Sequence, residues 1–569
     1  MSTRITIDPI TRIEGHLRID CEVGDDNKVS AAWASGTMWR GVEQILLGRD
    51  PRDAWAITQR FCGVCTTVHA IASVRSVENA LDLPVPKNAQ YIRNMMISAH
   101  ALHDEIVHFY HLSALDWVDV VSALDADPVA TSQLGESLSS WTGNGKNEMT
   151  AVHAKLRALV DSGQLGIFAN GYWGHPAMKL PPNVNLLAVA HYLQALDVQR
   201  AANKIVAILG SKTPHIQNVA VGGVSNPINV DSQSTLTVER LLAIKAHIDA
   251  VKTFINEVYL VDVAAVAAFY PEWTKIGRGV VNYLAAPDFP LDEKGTQFVT
   301  AGGYIANGDP GTYQPISRFG DTFFHDGVVE SVKHSWYKGG VGALHPYKGE
   351  TIPEYTDFQA DAKYSWVKSP MFQGKPAQVG PLARVLMAVA TKDTEVTKHL
   401  DRLLGLVKAV GNVDVPLDGL HSTIGRHAAR AVMCARNVEI LEQQWNLLLA
   451  NIAKGDTSTF EKPTFPKGEV SGFGMHEAPR GLLSHWVVIE DGIIKNYQAV
   501  VPTTWNAAPR NEEDMPGPYE ASLIDTPLAD PERPLEVLRT IHSFDPCLAC
   551  AVHLLDATKR PIVKVQALG

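Results

Sequence analysis

The sequence predicts an α+β fold, predominantly helical, with a central bundle of long helices and small peripheral β-sheets. Two observations carry this. Four spans are free of Gly and Pro, Lys87–Asp127, Asn183–Leu209, Ser232–Tyr270 and Arg426–Lys454. Each shows apolar residues at helical spacing, for example Leu241, Ile244, Ile248, Val251 and Phe254, the pattern of a helix with one buried face. Between and after them lie Gly/Pro-rich stretches, Ala301–Gly349 and Phe460–Gly481, and strand-like runs such as Trp486–Ile489.

The elements follow in chain order. The start, Met1–Pro9, lacks the apolar core of a secretory signal and goes straight into alternating, strand-like sequence. Arg52–Leu81 reads as a helical segment broken by Gly63, which puts Cys62 and Cys65 near a helix start or kink. In the first long span His100, His103, Asp104, His108 and His111 fall within about 140° of one helical face. This is read as a polar side packed against other polar groups, with Asp104 the member most worth testing. No internal repeat or linker separates independent domains, so residues 1–553 are expected to form one interlocked unit. The chain has 569 residues, 46% of them hydrophobic and 20% charged, with a formal charge of −11. That is a composition able to bury a large core, and its acidity argues against nucleic acid as a partner. No apolar stretch reaches the length of a membrane span.

The chemistry starts from six cysteines, too few for a disulfide scaffold. Cys62 and Cys65 form one C-x-x-C and Cys547 and Cys550 another, at opposite ends of the chain. Two pairs suggest one tetrathiolate site. Zinc ribbons keep their pairs about 15–20 residues apart, whereas a site joining both ends must be held by the surrounding fold, as a catalytic metal is. Four thiolates suit zinc, iron–sulfur clusters, nickel or low-valent iron, and spacing does not separate these. Cys21 and Cys434 stand alone and read as buried apolar thiols.

The segments Arg60–His69 and Asp545–His553, together with Arg12–His16, Arg40–Glu43, His215–Gly223 and Glu477–Gly481, resemble in order the large subunit of nickel–iron hydrogenases, closest to the membrane-associated uptake type. The resemblance implies reversible heterolytic cleavage of hydrogen. It implies a nickel held by the four thiolates, Cys62 and Cys547 terminal, Cys65 and Cys550 bridging to an iron that carries carbon monoxide and cyanide. Cysteine at 547 disfavours the selenium subclass. Arg480 would lie over the metals, oriented by Asp545. Pro479 and Thr503 would complete the pocket around the diatomic ligands. Glu14 would relay protons from the Cys547 sulfur, against a plainer reading as an ion pair with Arg12 or Arg18. Glu43, the carbonyl of Ala499 and His553 would hold Mg2+, for which hard oxygens are suited, and His69 would donate to Cys550.

The likeness also implies partners. No cysteines remain for iron–sulfur clusters, so electrons should leave through an iron–sulfur small subunit, which would also supply export to the periplasmic side of the membrane and the membrane association. Nickel-insertion factors and a maturation protease would act on a cytoplasmic precursor, the protease cutting between His553 and Leu554 to remove residues 554–569. The alternatives are a quinone-site scaffold of the respiratory complex I type, which the four cysteines oppose, and a zinc-stabilised interaction protein, in which Glu14 and Arg480 would be dispensable.

Overall fold

The computed structural model describes residues 3–168, 172–229, 232, 236–339 and 342–551. Two of the four expected helices appear almost as read, Pro182–Gly210 and Thr423–Ala453. Pro182 starts the first, where its missing N–H has no partner to lose. Ser422 caps the second, its hydroxyl accepting from Gly425 N at 3.0 Å.

The other two spans are not single α-helices. Lys87–Val107 runs into a π-helical turn at His108–Ser113, and Val238–Phe254 into another at Ile255–Tyr259 before Leu260–Phe269 resumes. A π turn inserts one residue and rotates the face that follows. Here the two turns meet, with the ring of Tyr259 5.2 Å from Phe109 and 5.9 Å from Tyr110. The two π turns thus share an aromatic contact, and neither Gly nor Pro marks them in the sequence. Further helices include Thr66–Ala80, Pro128–Leu138, Lys146–Asp161, Pro381–Thr391 and Thr394–Gly411.

The long helices pack on one another. Thr423–Ala453 lies along Lys87–Val107, which also contacts Pro182–Gly210, and that helix in turn contacts Val238–Phe254. Met95, Met96, Leu102, Val432 and Leu441 are buried there. Among the described residues no helix is long and apolar enough to cross a membrane.

Two antiparallel sheets position the site. Thr3–Ile7, Leu17–Val23 and Val29–Gly36 form one, and Glu469–Ala478, Gly481–Glu490 and Ile493–Val500 the other, with the Trp486–Ile489 run in its central strand. Helix Thr66–Ala80 lies directly on the second sheet. The approach is so close that a Cβ on Gly474 would stand 2.1 Å from the Ala72 carbonyl oxygen, which only glycine accommodates. This brings His69 of the helix against the strands that carry Arg480 and His485.

The loop between the first two strands meets the far end of the chain. Glu14 N donates to the Pro546 carbonyl at 3.2 Å, and Leu548 N donates to the Glu14 carbonyl at 2.8 Å. Gly15, at φ +84°, makes this possible, since a Cβ there would lie 2.5 Å from Ala549 N.

Candidate metal centre

Local geometry explains where each thiol points. Cys62 is extended after the short turn Gln59–Phe61, and Cys65 stands at the N-terminus of helix Thr66–Ala80, so the pair straddles a helix start as the sequence indicates. Val64 N and Cys65 N both donate to Cys62 Sγ at 3.1 Å. The second pair follows Asp545, held in the left-handed region at φ 59°, and Cys550 lies in the single turn Leu548–Ala551. Arg40 ties the two segments together. Its guanidinium donates to the Phe61 and Arg60 carbonyls and, at 2.7 Å, to that of Ala549.

The four Sγ atoms converge. Cys62–Cys547 is 3.3 Å, Cys65–Cys547 3.4 Å, and both Cys65–Cys550 and Cys547–Cys550 are 2.9 Å. All four are buried, lie within 4.8 Å of one another and are free of disulfides. Four thiolates about 2.3 Å from one metal stand about 3.8 Å apart, so a soft ion fits here with small outward shifts. Burial opposes ionisation of all four. Hydrogen bonds from the other three thiols and the charge of Arg480 nevertheless bring Cys62 well below the usual thiol range, while Cys65, Cys547 and Cys550 stay above it. A bound cation favours the thiolate form of all four and would drive off their protons.

Arg480 sits in the turn between strands Glu469–Ala478 and Gly481–Glu490. Its Nη1 donates to Asp104 at 3.0 Å, Nη2 to Asp545 Oδ1 at 2.9 Å and Nε to the Asp545 carbonyl at 3.0 Å. Burial works against this cation, but Asp545, Cys547 and Asp104 keep it charged. Asp104 is buried too, yet His100, His103 and Arg480 hold it far below the usual carboxylate range. The histidine face therefore divides. His100 and His103 serve Asp104, whereas His108 contacts the His542 carbonyl at 2.6 Å and His111 that of Tyr192 at 3.1 Å.

Glu14 is half-buried with Oε2 3.2 Å from Cys547 Sγ, and the same oxygen accepts from Ala549 N at 2.9 Å. The plainer ion-pair reading does not hold, because Arg12 pairs with Asp116 and Arg18 with Asp20. Burial first, then the Cys62 charge, pushes the Glu14 carboxyl up to about 7.

The pocket beside the thiols is walled by Val68, Ala478, Leu483, Pro502 and Thr503 together with Arg480. Thr503 Oγ1 accepts from Cys547 N at 3.1 Å, which leaves its own proton for another acceptor. The Pro479 carbonyl accepts from Arg430 Nη1 at 3.0 Å, and Pro502, a proline that the motifs do not include, stands in the wall. His69 Nε2 lies 3.2 Å from Cys550 Sγ, and its Nδ1 lies 3.0 Å from His485 Nε2. His485 Nδ1 is in turn 2.6 Å from the Tyr497 hydroxyl. Neither partner was read from the sequence, although a histidine beside the apolar Trp486–Ile489 run was the available signal. Burial holds His69 down at about 3, so it is a neutral imidazole.

Glu43 is buried, its Oε1 accepting from Ala499 N at 2.9 Å and its Oε2 from the Thr351 hydroxyl. Lys368 Nζ stands 4.0 Å away. These are hard oxygen donors beside the expected Ala499. His553, Leu554 and the extension 554–569 lie outside the described residues. Cys21 and Cys434 are buried away from the cluster, and burial raises both thiols, Cys21 to about 12.

Comparison with known proteins agrees with this geometry. The family model described as nickel-dependent hydrogenase matches residues 40–553, and one described as HoxL-like matches residues 4–34. The chain belongs to the nickel-dependent hydrogenase family. The Hydrogenase-2 large chain of Escherichia coli (strain K12) is 57% identical over 569 residues and is covered, like this chain, in full. The uptake hydrogenase large subunit of Rhizobium leguminosarum bv. viciae is 45% identical, over 99% of this chain and 97% of its own. The solved Ni-Fe-Se hydrogenase of Desulfovibrio vulgaris Hildenborough in the reduced state superposes with TM-score 0.78 at 32% identity, over 97% of this chain and 100% of that one. Within the family this chain is a large, catalytic subunit and an oxidoreductase acting on hydrogen.

Proposed function

We propose that Cys62, Cys65, Cys547 and Cys550 hold nickel, with Cys65 and Cys550 shared with an iron carrying carbon monoxide and cyanide, and that Glu14 and Arg480 handle the protons of reversible hydrogen cleavage. The observation that carries this reading is Glu14 Oε2, 3.2 Å from Cys547 Sγ, with the nearby arginines engaged elsewhere. Soft thiolate donors give such a centre several accessible oxidation states and hence the capacity to take electrons from hydrogen.

The chain's own residues do the rest. The Cys547 sulfur is the atom at which a proton is held within reach of a carboxylate, and Glu14 accepts it at Oε2 and passes it outward, being half-buried itself. Arg480, fixed at three points, keeps a planar cation facing the thiols. Ala478, Leu483 and Pro502 keep the pocket apolar, and Thr503, whose oxygen accepts from Cys547 N, would have its hydroxyl proton free for a cyanide ligand. His69, protonated at Nε2, donates to Cys550. Glu43, the Ala499 carbonyl and His553 hold Mg2+.

Electrons leave through an iron–sulfur small subunit, because the cysteines outside the cluster, Cys21 and Cys434, are buried singly. That partner supplies export to the periplasmic side and membrane association, after nickel insertion and removal of residues 554–569 in the cytoplasm. Residues 1–553 act as one interlocked unit around a central helix bundle, a reading supported by the Glu14–Cys547 bridge.

Metal analysis of the anaerobically purified two-subunit complex, with an infrared scan of the carbon monoxide and cyanide region, tests this. Nickel with sharp bands is expected. Zinc alone with a silent window in a chain whose mass shows the extension removed would overturn it.

A further inference from the structure

Arg430 belongs to none of the sequence motifs and touches none of the thiols, yet it is 1% exposed inside the longest helix of the fold. Its Nη1 donates to Glu105 Oε2 at 2.8 Å and to the Pro479 carbonyl at 3.0 Å, and stands 3.7 Å from Asp545 Oδ2. Pro479 is the residue before Arg480, and Asp545 receives two of the three Arg480 bonds, one at its carboxylate and one at its backbone carbonyl. Asp545 Oδ2 has no hydrogen-bond partner of its own, so Arg430 is the cation that faces it from behind.

The charges thus alternate in a buried row: Asp104, Arg480, Asp545, Arg430, Glu105. Asp104 and Glu105 are consecutive on helix Lys87–Val107, so one rigid element closes the row at both ends. A buried charge row is strongly destabilised when a single partner is removed, which gives it one well-defined arrangement.

We infer that Arg430 is a positioning residue, which holds Arg480 over the four thiols by fixing the Pro479 carbonyl and the back of Asp545. The inference rests on the role given to Arg480 above. A displacement of an active-site group by about 1 Å can cost on the order of 100-fold in rate, so loosening this support should appear in turnover before it appears in assembly.

The test uses the two-subunit holoenzyme. Arg430→Met alone would strand two buried carboxylates, so it is paired with Glu105→Gln, and Arg430→Lys serves as the conservative variant. The double variant should keep its nickel, lose about tenfold or more in kcat at unchanged KM, and shift the cyanide infrared bands. Arg430→Lys should recover part of both. In an Arg480→Lys background the same change should cost less than about twofold, because the group it positions is already altered.

Wild-type turnover with full nickel, or an equal fold-loss in both backgrounds, would overturn the inference. Nickel loss in every variant, Arg430→Lys included, would make Arg430 a folding residue and overturn it as well. Arg480→Lys working at the wild-type rate would remove the reading of Arg480 itself, and the positioning role with it.

Discussion

Replacing Glu14 by glutamine tests the proposed proton relay, because the change removes a titrating oxygen and almost nothing else. One oxygen, Oε2, stands 3.2 Å from Cys547 Sγ and 2.9 Å from Ala549 N, and the amide oxygen of glutamine can take that place and keep both contacts without taking up a proton. The backbone bonds from Glu14 to Pro546 and Leu548 are untouched. Metal binding should therefore survive. A positioned acid or base is worth roughly 10²–10⁴-fold, and since Arg480 still faces the thiols, the expected loss lies near the lower end. A loss of about 100-fold corresponds to about 3 kcal/mol on the barrier. Hydrogen-dependent dye reduction and proton–deuteron exchange should fall together, with nickel content by mass spectrometry unchanged. Glu14→Asp draws the carboxylate back by about 1.5 Å, beyond hydrogen-bond reach of the sulfur, and should lie between the two. More than half the wild-type rate in Glu14→Gln at full nickel would refute the relay, and loss of nickel would show that the residue acts on assembly instead.

Two further changes probe the frame around the site. Burial, offset in part by Arg384, pushes Glu477 up to about 8 from an ordinary 4.5. The folded chain therefore keeps a proton that the unfolded chain loses, and stability falls as pH rises through that window and levels off above it. At about 1.4 kcal/mol per pKa unit the full effect is a few kcal/mol. Glu477→Gln should flatten the pH dependence of urea unfolding between those limits, and an unchanged slope would show that Glu477 is ionised in the fold. Gly15→Ala places a methyl 2.5 Å from Ala549 N and 2.8 Å from Leu548 Cβ, at a φ of +84° that alanine adopts at a cost of about 1–2 kcal/mol. Nickel content should drop more than the melting temperature does, and full loading would show that the segment bearing Cys547 and Cys550 gives way easily.

The parts legible in the sequence are those whose chemistry demands neighbours in the chain. Two C-x-x-C pairs announce a tetrathiolate site because a metal takes several donors from one turn, and the long helices announce themselves through apolar spacing. Legible only through family likeness were Glu14, Arg480 and Thr503, lone residues whose neighbours in sequence say nothing of a metal. Least legible were contacts made across the chain. The paired π turns meet where Tyr259 packs on Phe109 and Tyr110. His485 and Tyr497 join the site because helix Thr66–Ala80 lies flat on glycines of the sheet, and Arg430 reaches the Pro479 carbonyl from a helix position 49 residues away in the chain.

The pattern of these contacts bears on how the site assembles. Glu14 holds the segment Leu548–Ala549 twice, by its carbonyl to Leu548 N and by its carboxylate to Ala549 N. Arg40 holds the same segment by the Ala549 carbonyl while gripping Arg60 and Phe61, next to Cys62. The two cysteine pairs are therefore aligned by residues of the first strands and the loops around them, and a proton acceptor is part of that alignment. Placing the acceptor on the clamp guarantees that whenever the four sulfurs are in register, a carboxylate stands within hydrogen-bond reach of one of them. A separate loop carrying the acceptor would have needed its own ordering energy, and its distance to Cys547 would have varied independently of the ligands.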